Sequence, residues 1–198
     1  EDSIFVNGTV SKVAKSGNNV ILTVGKNKIS VIGGADKVIS YTDETGSYTF
    51  PKVVEITEKG ATLLSGYSKD SFDINDYENS ENVITIDASA VEQNIAITGN
   101  AKANKIIGSE QNDTIVGGEG NDCITGGEGA DVFVYNPGDG NDRIFDYSEE
   151  DSILVNGTVS KVSKSGNNII LNVGSNKISV VGGADKVITY TDDYGEHV

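Results

Sequence analysis

GGEGNDCITGGEGADVFV, residues 117–134, consists of two nine-residue units in which a glycine-rich acidic turn precedes a short run of strand-forming residues. The same frame extends back to Gly99 and forward to Leu154, interrupted only by the two residues Tyr135 and Asn136. A unit this short cannot bury its apolar residue alone, so successive units must stack into a solenoid with a shared core. The sequence therefore predicts an all-β fold centred on a parallel β-roll, which is a β-solenoid.

Two positions of the nine-residue frame carry the pattern. Position eight is apolar in every unit, and we expect it to point inward from a three-residue strand. Position six is a carboxylate in every unit except the first. The position-six residues are Asn104, Asp113, Asp122, Asp131, Asp142 and Asp151, and the position-eight residues are Ile106, Ile115, Ile124, Phe133, Ile144 and Ile153.

The turns offer oxygen ligands. Paired glycines accept positive φ and tight turns, which leave carbonyl oxygens converging beside each carboxylate. Carboxylate and carbonyl oxygens are the ligands of a hard cation such as Ca²⁺. Because two units make one coil, turns 18 residues apart, or 20 across the insertion, should lie above one another. We therefore predict one ion between the members of each of three pairs: Asp113 with Asp131, Asp122 with Asp142, and Asp131 with Asp151.

The first turns of the stack depart from this pattern. Asn104 lacks a charge and Gln111 replaces a turn glycine, so we expect weak binding or none at the N-terminal end. The predicted ligands are the position-six carboxylates and the surrounding turn residues: Asp113, Gly117, Gly118, Glu119, Gly120, Asp122, Gly127, Gly129, Asp131, Gly138, Gly140, Asp142 and Asp151.

Residues 117–134 resemble the calcium-binding nonapeptide repeat, GGxGxDxUx, of the RTX (repeats-in-toxin, haemolysin-type) proteins, and 99–154 resemble it in degenerate form. The resemblance implies Ca²⁺ as the cofactor, with about three ions expected from the aspartate pairs. It also implies a bacterial protein that is secreted or displayed at the cell surface after type I secretion. Such a protein is exported unfolded and folds where Ca²⁺ is abundant.

A long internal duplication is the second organising feature. Residues 1–44 recur from Glu150 with a constant offset of 149 residues and mild substitutions, such as Val20 to Ile169. This favours a parent protein with such modules in tandem, of which the chain would be a fragment. Period-two alternation through residues 20–31 predicts a β-hairpin.

The predicted organisation has four parts. Residues 1–46 form a β-rich cap that ends a preceding module, and 47–98 form irregular β coils that lead into the roll. Residues 99–154 are the calcium-binding roll, and 155–198 are a second β-rich cap that repeats 6–49. A cap is needed because an open solenoid end exposes strand edges and core.

Composition narrows the function. The net charge of −15 argues against nucleic acid, whose phosphates need basic surfaces, and no apolar run is long enough to span a bilayer. The only histidine, His197, is expected to be frayed, and no GxSxG, HExxH or P-loop pattern is present, so we expect no enzyme activity. Cys123 is single, which excludes an internal disulfide.

Several functions fit these features. The leading one is a calcium-binding structural module, such as a stalk or adhesin spacer. A self-assembling fibre or surface layer, in which neighbouring copies of the module associate, is of the same kind. The alternative of another class is the C-terminal export and folding domain of an RTX lipase or protease whose catalytic part lies elsewhere. A carbohydrate-binding module is disfavoured, because no aromatic platform stands out.

Overall fold

The chain divides into two compact units, Glu1–Val53 and Val54–Val198, in a computed structural model. The domain limits expected from the sequence stay predictions. The structure describes residues 3–5, 7, 9–16, 19–24, 26–31, 39–43, 46–50, 54–56, 59–63, 67, 69–76 and 80–198. Within this described part there is no α-helix, and the only helical turns are three short 3₁₀ turns. The fold class is therefore all-β, as predicted.

The first unit contains two three-stranded sheets. One has the strand order β1-β5-β6, with a parallel pair followed by an antiparallel pair, and the other is the antiparallel meander β2-β3-β4. The predicted hairpin of residues 20–31 is confirmed as the pair β3 and β4. The strands are β1 (Ser3–Phe5), β2 (Val10–Ser16), β3 (Asn19–Val24), β4 (Asn27–Val31), β5 (Ile39–Asp43) and β6 (Gly46–Phe50).

The second unit contains a nine-stranded and a seven-stranded sheet, and from β8 to β17 the chain alternates between them. Its strands are β7 (Val54–Ile56), β8 (Gly60–Leu63), β9 (Ser71–Asp73), β10 (Thr85–Asp87), β11 (Ala96–Thr98), β12 (Lys105–Ile107), β13 (Thr114–Val116), β14 (Cys123–Thr125), β15 (Val132–Tyr135), β16 (Asn141–Ile144), β17 (Ser152–Val155), β18 (Val159–Ser165), β19 (Asn168–Val173), β20 (Asn176–Val180), β21 (Tyr190–Asp192) and β22 (Gly195–His197).

Parallel pairing in register confirms the predicted stacking of the nine-residue units. Even-numbered strands β8 to β16 pair in the nine-stranded sheet, and odd-numbered strands β9 to β17 pair in the seven-stranded sheet. Each coil therefore contributes one strand to each sheet, and equivalent turns recur on the same edge. Residues 60–155 form a two-sheet roll with a row of turns along each edge.

The position-eight side chains form two buried ladders between the sheets. Ile106, Ile124 and Ile144 are successive partners in one sheet, and each is at most 3% exposed. The other sheet aligns Ile115, Phe133 and Ile153, which are at most 2% exposed. Burying an aliphatic side chain of this size contributes about 1.5–3 kcal/mol. These ladders confirm the predicted core and hold the edge turns in register.

The end of the roll is covered by an antiparallel segment. Strands β18, β19 and β20 form a meander whose last strand continues the nine-stranded sheet by pairing with β16. The hairpin of β21 and β22 likewise extends the seven-stranded sheet through β17. The expectation that His197 is frayed is wrong: its ring stacks on Tyr190 with centroids 4.6 Å apart, and its Nε2 lies 3.0 Å from Asp192 Oδ1.

The two copies of the duplication fold alike where both are described. The pair β2–β3 begins at Val10 opposite Val24 and shifts register before Lys12. The pair β18–β19 begins at Val159 opposite Val173 and shifts at the equivalent place. In the described part of the chain, no helix is long and apolar enough to cross a membrane.

Candidate metal centre

The position-six aspartates stack along the two edges of the roll. On one edge, the backbone N–H of Asp113 donates to Asp131 Oδ1 at 2.9 Å, and that of Asp131 donates to Asp151 Oδ1 at 2.9 Å. On the other edge, the N–H of Asp122 donates to Asp142 Oδ1 at 2.9 Å. The structure therefore brings together all three predicted pairs.

These carboxylates are almost entirely removed from solvent. The exposed fraction is 0% for Asp122, 1% for Asp113 and Asp131, and 4% for Asp142 and Asp151. Burying a charge is costly unless it is paired or coordinates a metal. The roll therefore places a row of buried anions on each edge, and they need positive charge or protons.

Two carboxylate oxygens have no partner. Among the described residues, Asp122 Oδ2 and Asp131 Oδ2 are the buried side-chain oxygens or nitrogens that have no hydrogen-bond partner. An unsatisfied buried polar atom normally costs about 1–3 kcal/mol, and more when it is charged. Each of these two oxygens lies in one of the two GGEG turns. Their placement fits a cation ligand in each turn.

The pKa values reflect the same shortage of donors. Burial raises the pKa of Asp122 to about 7, and repulsion from Asp139 adds to the effect. Burial likewise raises the pKa of Asp131 to about 7, with additional repulsion from other aspartates of the stack. The pKa of Asp142 also rises to about 7 through burial, and that of Asp113 is raised by burial. In each case the folded state without metal favours a proton on the carboxyl group.

The glycines leave the space that the carboxylates occupy. A Cβ on Gly117 would lie 2.3 Å from Asp122 Oδ2, and one on Gly126 would lie 2.1 Å from Asp131 Oδ2. Position two of each turn is a glycine at positive φ, 90° at Gly118 and 108° at Gly127. Position one therefore needs a residue without a Cβ, and position two needs a residue that accepts positive φ. Glycine meets both needs, which explains the paired glycines of the sequence.

Backbone carbonyl groups supply the remaining oxygen atoms. The Gly120 oxygen faces the next turn, 1.5 Å from where a Cβ on Gly140 would lie. The described residues contain no group of three or more His, Cys, Asp or Glu side chains that could hold a metal. A Ca²⁺ ion at these turns would therefore need backbone carbonyl oxygens as well as carboxylates to reach its roughly six to eight oxygen ligands.

Comparison with known protein families agrees with this donor set. Residues 98–133 match the family model described as RTX calcium-binding nonapeptide repeat (4 copies). These residues are RTX calcium-binding nonapeptide repeats. The turns that contain Asp142 and Asp151 lie beyond the matched RTX segment, but they continue its stack by the hydrogen bonds described above.

Comparison with curated proteins finds no match to the chain. Among solved structures, the extracellular lipase LipA from Serratia marcescens matches with a TM-score of 0.42 and 18% sequence identity. The match covers 91% of this chain and 30% of the lipase chain. The chain therefore corresponds to less than a third of that lipase's length.

The predicted ligands of the RTX turns do not all have the same surroundings. The Asp122 and Asp131 carboxylates each keep an unpaired oxygen. The Asp113 carboxylate, in contrast, accepts hydrogen bonds at both oxygens from Ser109 and Ile95. Glu119 is exposed, unlike the position-six aspartates. The predicted set of ligands and the number of ions stay predictions.

Two further carboxylates lie at the RTX turns and were not among the predicted ligands. Asp139 is 7% exposed, and its Oδ2 accepts the Asn136 N–H at 2.7 Å and Asn136 Nδ2 at 3.1 Å. Asp146 accepts the N–H groups of Gly126 and Gly127 at 2.9 and 2.8 Å. Asp139 stands at position three of its unit and Asp146 at position one, whereas the predicted carboxylate ligands were the position-six aspartates and Glu119. Acidic residues elsewhere in the turn were the available signal.

Proposed function

We propose that the chain is a calcium-responsive structural module of a secreted or cell-surface bacterial protein, and that it folds when Ca²⁺ binds outside the cell. The observation that carries this proposal is the pair of unpaired, fully buried oxygens, Asp122 Oδ2 and Asp131 Oδ2, within RTX calcium-binding repeats. Bound Ca²⁺ supplies the positive charge and the oxygen coordination that these atoms need.

Without the cation, two free-energy terms oppose folding of the roll. Its stacked carboxylates are buried close to one another, and its glycine turns lose much conformational entropy on folding. Binding to the folded state alone contributes RT ln(1 + [Ca²⁺]/Kd), about 2.7 kcal/mol per site at a hundredfold excess over Kd. Two sites then contribute about 5 kcal/mol, which is comparable with the whole stability of a small domain. Calcium is thus expected to decide whether the roll folds.

The calcium concentrations on the two sides of a membrane fit this role. Extracellular binding modules have dissociation constants of about 10⁻⁴–10⁻³ M, far above the free calcium of a cytosol. A module of this kind stays unfolded during export and folds on arrival. We propose a structural role and no catalysis, because the carboxylates of the roll lie in regularly stacked turns and act as ligands of the cation.

The duplication supports a tandem arrangement. The two copies of the hairpin segment share the same register shift, at Val10/Lys12 and at Val159/Lys161. A sequence that encodes the same local structure twice favours repeated modules in the parent protein. We propose that these modules form a stalk or adhesin spacer, with Ca²⁺ stiffening each roll.

A calcium titration tests the proposal. Circular dichroism of the chain in chelator should show weak β-sheet signal, and added Ca²⁺ should restore it cooperatively with a rise in melting temperature. Light scattering after size-exclusion chromatography should give a monomer in Ca²⁺, whereas higher oligomers would favour a self-assembling fibre. A spectrum and melting temperature that do not change with chelator would refute the folding role.

A further inference from the structure

The turns of the roll differ in how they treat the side chain at position six. We call a turn sealed when a backbone N–H of its own position two or three donates to that side chain, and open when it does not. The sealed turns are 99–104, 108–113 and 146–151, and the open turns are 117–122 and 126–131. Turn 137–142 also has a glycine at position two, Gly138; its Asp142 stacks on Asp122 across one predicted ion site and is counted with turn 117–122.

In the two N-terminal sealed turns, protein donors occupy the side-chain oxygens of the position-six residue. In turn 108–113, the Ser109 N–H donates to Asp113 Oδ2 at 2.6 Å and its Oγ donates to Oδ1 at 3.1 Å. In turn 99–104, the Asn100 N–H donates to Asn104 Oδ1 at 2.9 Å. Asn104 Nδ2 in turn donates to the Val83 carbonyl at 3.1 Å. Hydrogen-bond donors of the protein therefore contact the side-chain oxygens that a cation would otherwise contact.

The same sealed turns retain a carbonyl oxygen that faces them. A Cβ on Gly108 would lie 2.2 Å from the Gly126 carbonyl oxygen and 2.8 Å from Asp113 Oδ2. Turn 108–113 thus has a carboxylate and a neighbouring carbonyl in the arrangement of an ion site. It differs from an open turn by the hydrogen bonds from Ser109 and by Gln111, which stands where the open turns have a glycine at position four.

In the open turns, position two is a glycine at positive φ, and the carboxylate oxygen stays unpaired. The Gly127 N–H is directed away from its own turn, to Asp146 Oδ2 at 2.8 Å in the following turn. A residue with a Cβ cannot readily take the φ of 108° found at Gly127, and its Cβ would lie 1.8 Å from the Ser109 carbonyl oxygen. The choice of residue at position two therefore sets the direction of the amide.

We infer that position two of each turn decides whether that turn takes Ca²⁺: Gly118 and Gly127 keep the pockets at Asp122 and Asp131 open, whereas Asn100 and Ser109 seal the two earlier turns. The chain then holds two calcium ions, one for each unpaired oxygen, and the N-terminal end of the roll is metal-free. This inference rests on the proposed calcium binding by the open turns. It assigns Asn100 and Ser109 as positioning residues that replace a cation with hydrogen bonds.

Metal stoichiometry of the whole chain tests the inference, measured by native mass spectrometry in saturating Ca²⁺. The wild-type chain should hold two ions. The variant Ser109→Gly should hold one ion more, because its turn can adopt the open conformation and release Asp113 Oδ2. Ser109→Ala keeps a Cβ and the same backbone N–H, so it should stay at two ions. Ser175→Gly, at an exposed turn of the C-terminal meander, is the matched control and should also stay at two.

A second variant tests the other edge independently. Asn100→Gly combined with Asn104→Asp should also add one ion, because it restores both the open turn and the missing carboxylate. The inference is overturned if the wild-type chain already holds three ions, if Ser109→Ala gains an ion, or if Ser109→Gly folds and stays at two. Loss of β-sheet signal in Ser109→Gly while Ser109→Ala folds would also overturn it, since glycine is accepted at this position in the open turns. A wild-type chain that holds no ion refutes the proposed function itself.

Discussion

Buried aspartates in the roll and in the C-terminal segment are treated in opposite ways. Asp192, which is 9% exposed, accepts the N–H groups of Val159 and Tyr194 and lies 3.0 Å from His197 Nε2. These hydrogen bonds, that from Val159 foremost, lower its pKa. Asp122 is fully buried with one oxygen unpaired, and burial raises its pKa to about 7.

The difference shows what each region needs in order to fold. The C-terminal segment satisfies its carboxylate with its own donors, so its local structure is complete without a cation. The open turns of the roll leave theirs unsatisfied, although backbone N–H groups are abundant nearby. A fold that removes donors from a buried charge makes its stability depend on an external ligand. Removing the cation, the carboxylate or the space around it tests this contrast.

Removal of calcium at neutral pH should have the largest effect. Chelator should remove about 5 kcal/mol of stability at a hundredfold excess of Ca²⁺ over Kd, through loss of two sites. The melting temperature, followed by circular dichroism, should fall by about 10–20 °C or the transition should vanish. Added Mg²⁺ is the control and should restore little, because it demands a tighter octahedral geometry and gives up its waters reluctantly. Equal stability with and without Ca²⁺ would remove the contrast between the two regions.

Substituting an open-turn aspartate should lower the free energy of unfolding in Ca²⁺ and raise it in chelator. In saturating Ca²⁺, Asp122→Asn or Asp131→Asn should lose about 2.7 kcal/mol, the contribution of one site. In chelator, the same variants should be more stable than wild type, because they remove a buried, unpaired charge. Asp192→Asn should destabilise under both conditions. Denaturant unfolding with and without Ca²⁺ measures this, and a variant of Asp122 that destabilises equally in both would contradict the account.

Filling an open pocket should weaken calcium binding. Gly117→Ala places a Cβ 2.3 Å from Asp122 Oδ2, so the carboxylate must move and calcium affinity should fall by about tenfold, or 1.4 kcal/mol. Gly166→Ala is the control: its φ is 61° and nothing lies within 4 Å of the added Cβ. It should cost about 1 kcal/mol of stability by backbone strain and leave affinity unchanged. Calorimetric titration with Ca²⁺ would show unchanged affinity in Gly117→Ala if the pocket is not the site.

Protonation of the buried aspartates at low pH should partly restore the stability that is lost when Ca²⁺ is removed. In chelator, Asp122, Asp131 and Asp142 have a folded-state pKa of about 7, above the ordinary value of 3.8, so the folded state binds more protons between these values. Their contribution to stability is fully present below the unfolded pKa and is lost as pH rises through about 7. The metal-free chain should therefore gain β-sheet signal as pH falls from 8 to 5. Stability that rises with pH in chelator would show that other groups dominate.

Much of the roll could be predicted from the sequence because its spacing is regular. A nine-residue period with an apolar residue at position eight fixes two strands per coil, and the ladder from Ile106 through Ile124 to Ile144 follows directly. The same period places Asp122 above Asp142 and Asp131 above Asp151. Period-two alternation likewise identified the hairpin of β3 and β4.

The difference between sealed and open turns could not be predicted from spacing. Asp113 occupies the same position six as Asp131, but its oxygens are taken by Ser109 and Ile95. That outcome depends on the φ available at position two and on a residue one coil away, neither of which the period reports. Asp146 was missed because it stands at position one of its unit, and spacing does not show that its carboxylate accepts the N–H groups of Gly126 and Gly127 one coil away. His197 could be placed only once β22 was paired with β21.

A crystal structure of the chain grown in Ca²⁺, with anomalous scattering data, shows whether a cation occupies each open turn. We expect an anomalous peak beside Asp122 Oδ2 and another beside Asp131 Oδ2, each about 2.3–2.6 Å from the oxygen. Backbone carbonyl oxygens of the two stacked turns should complete each coordination shell. Unpaired oxygens that contact only water or protein donors, with no cation in either open turn, would contradict it.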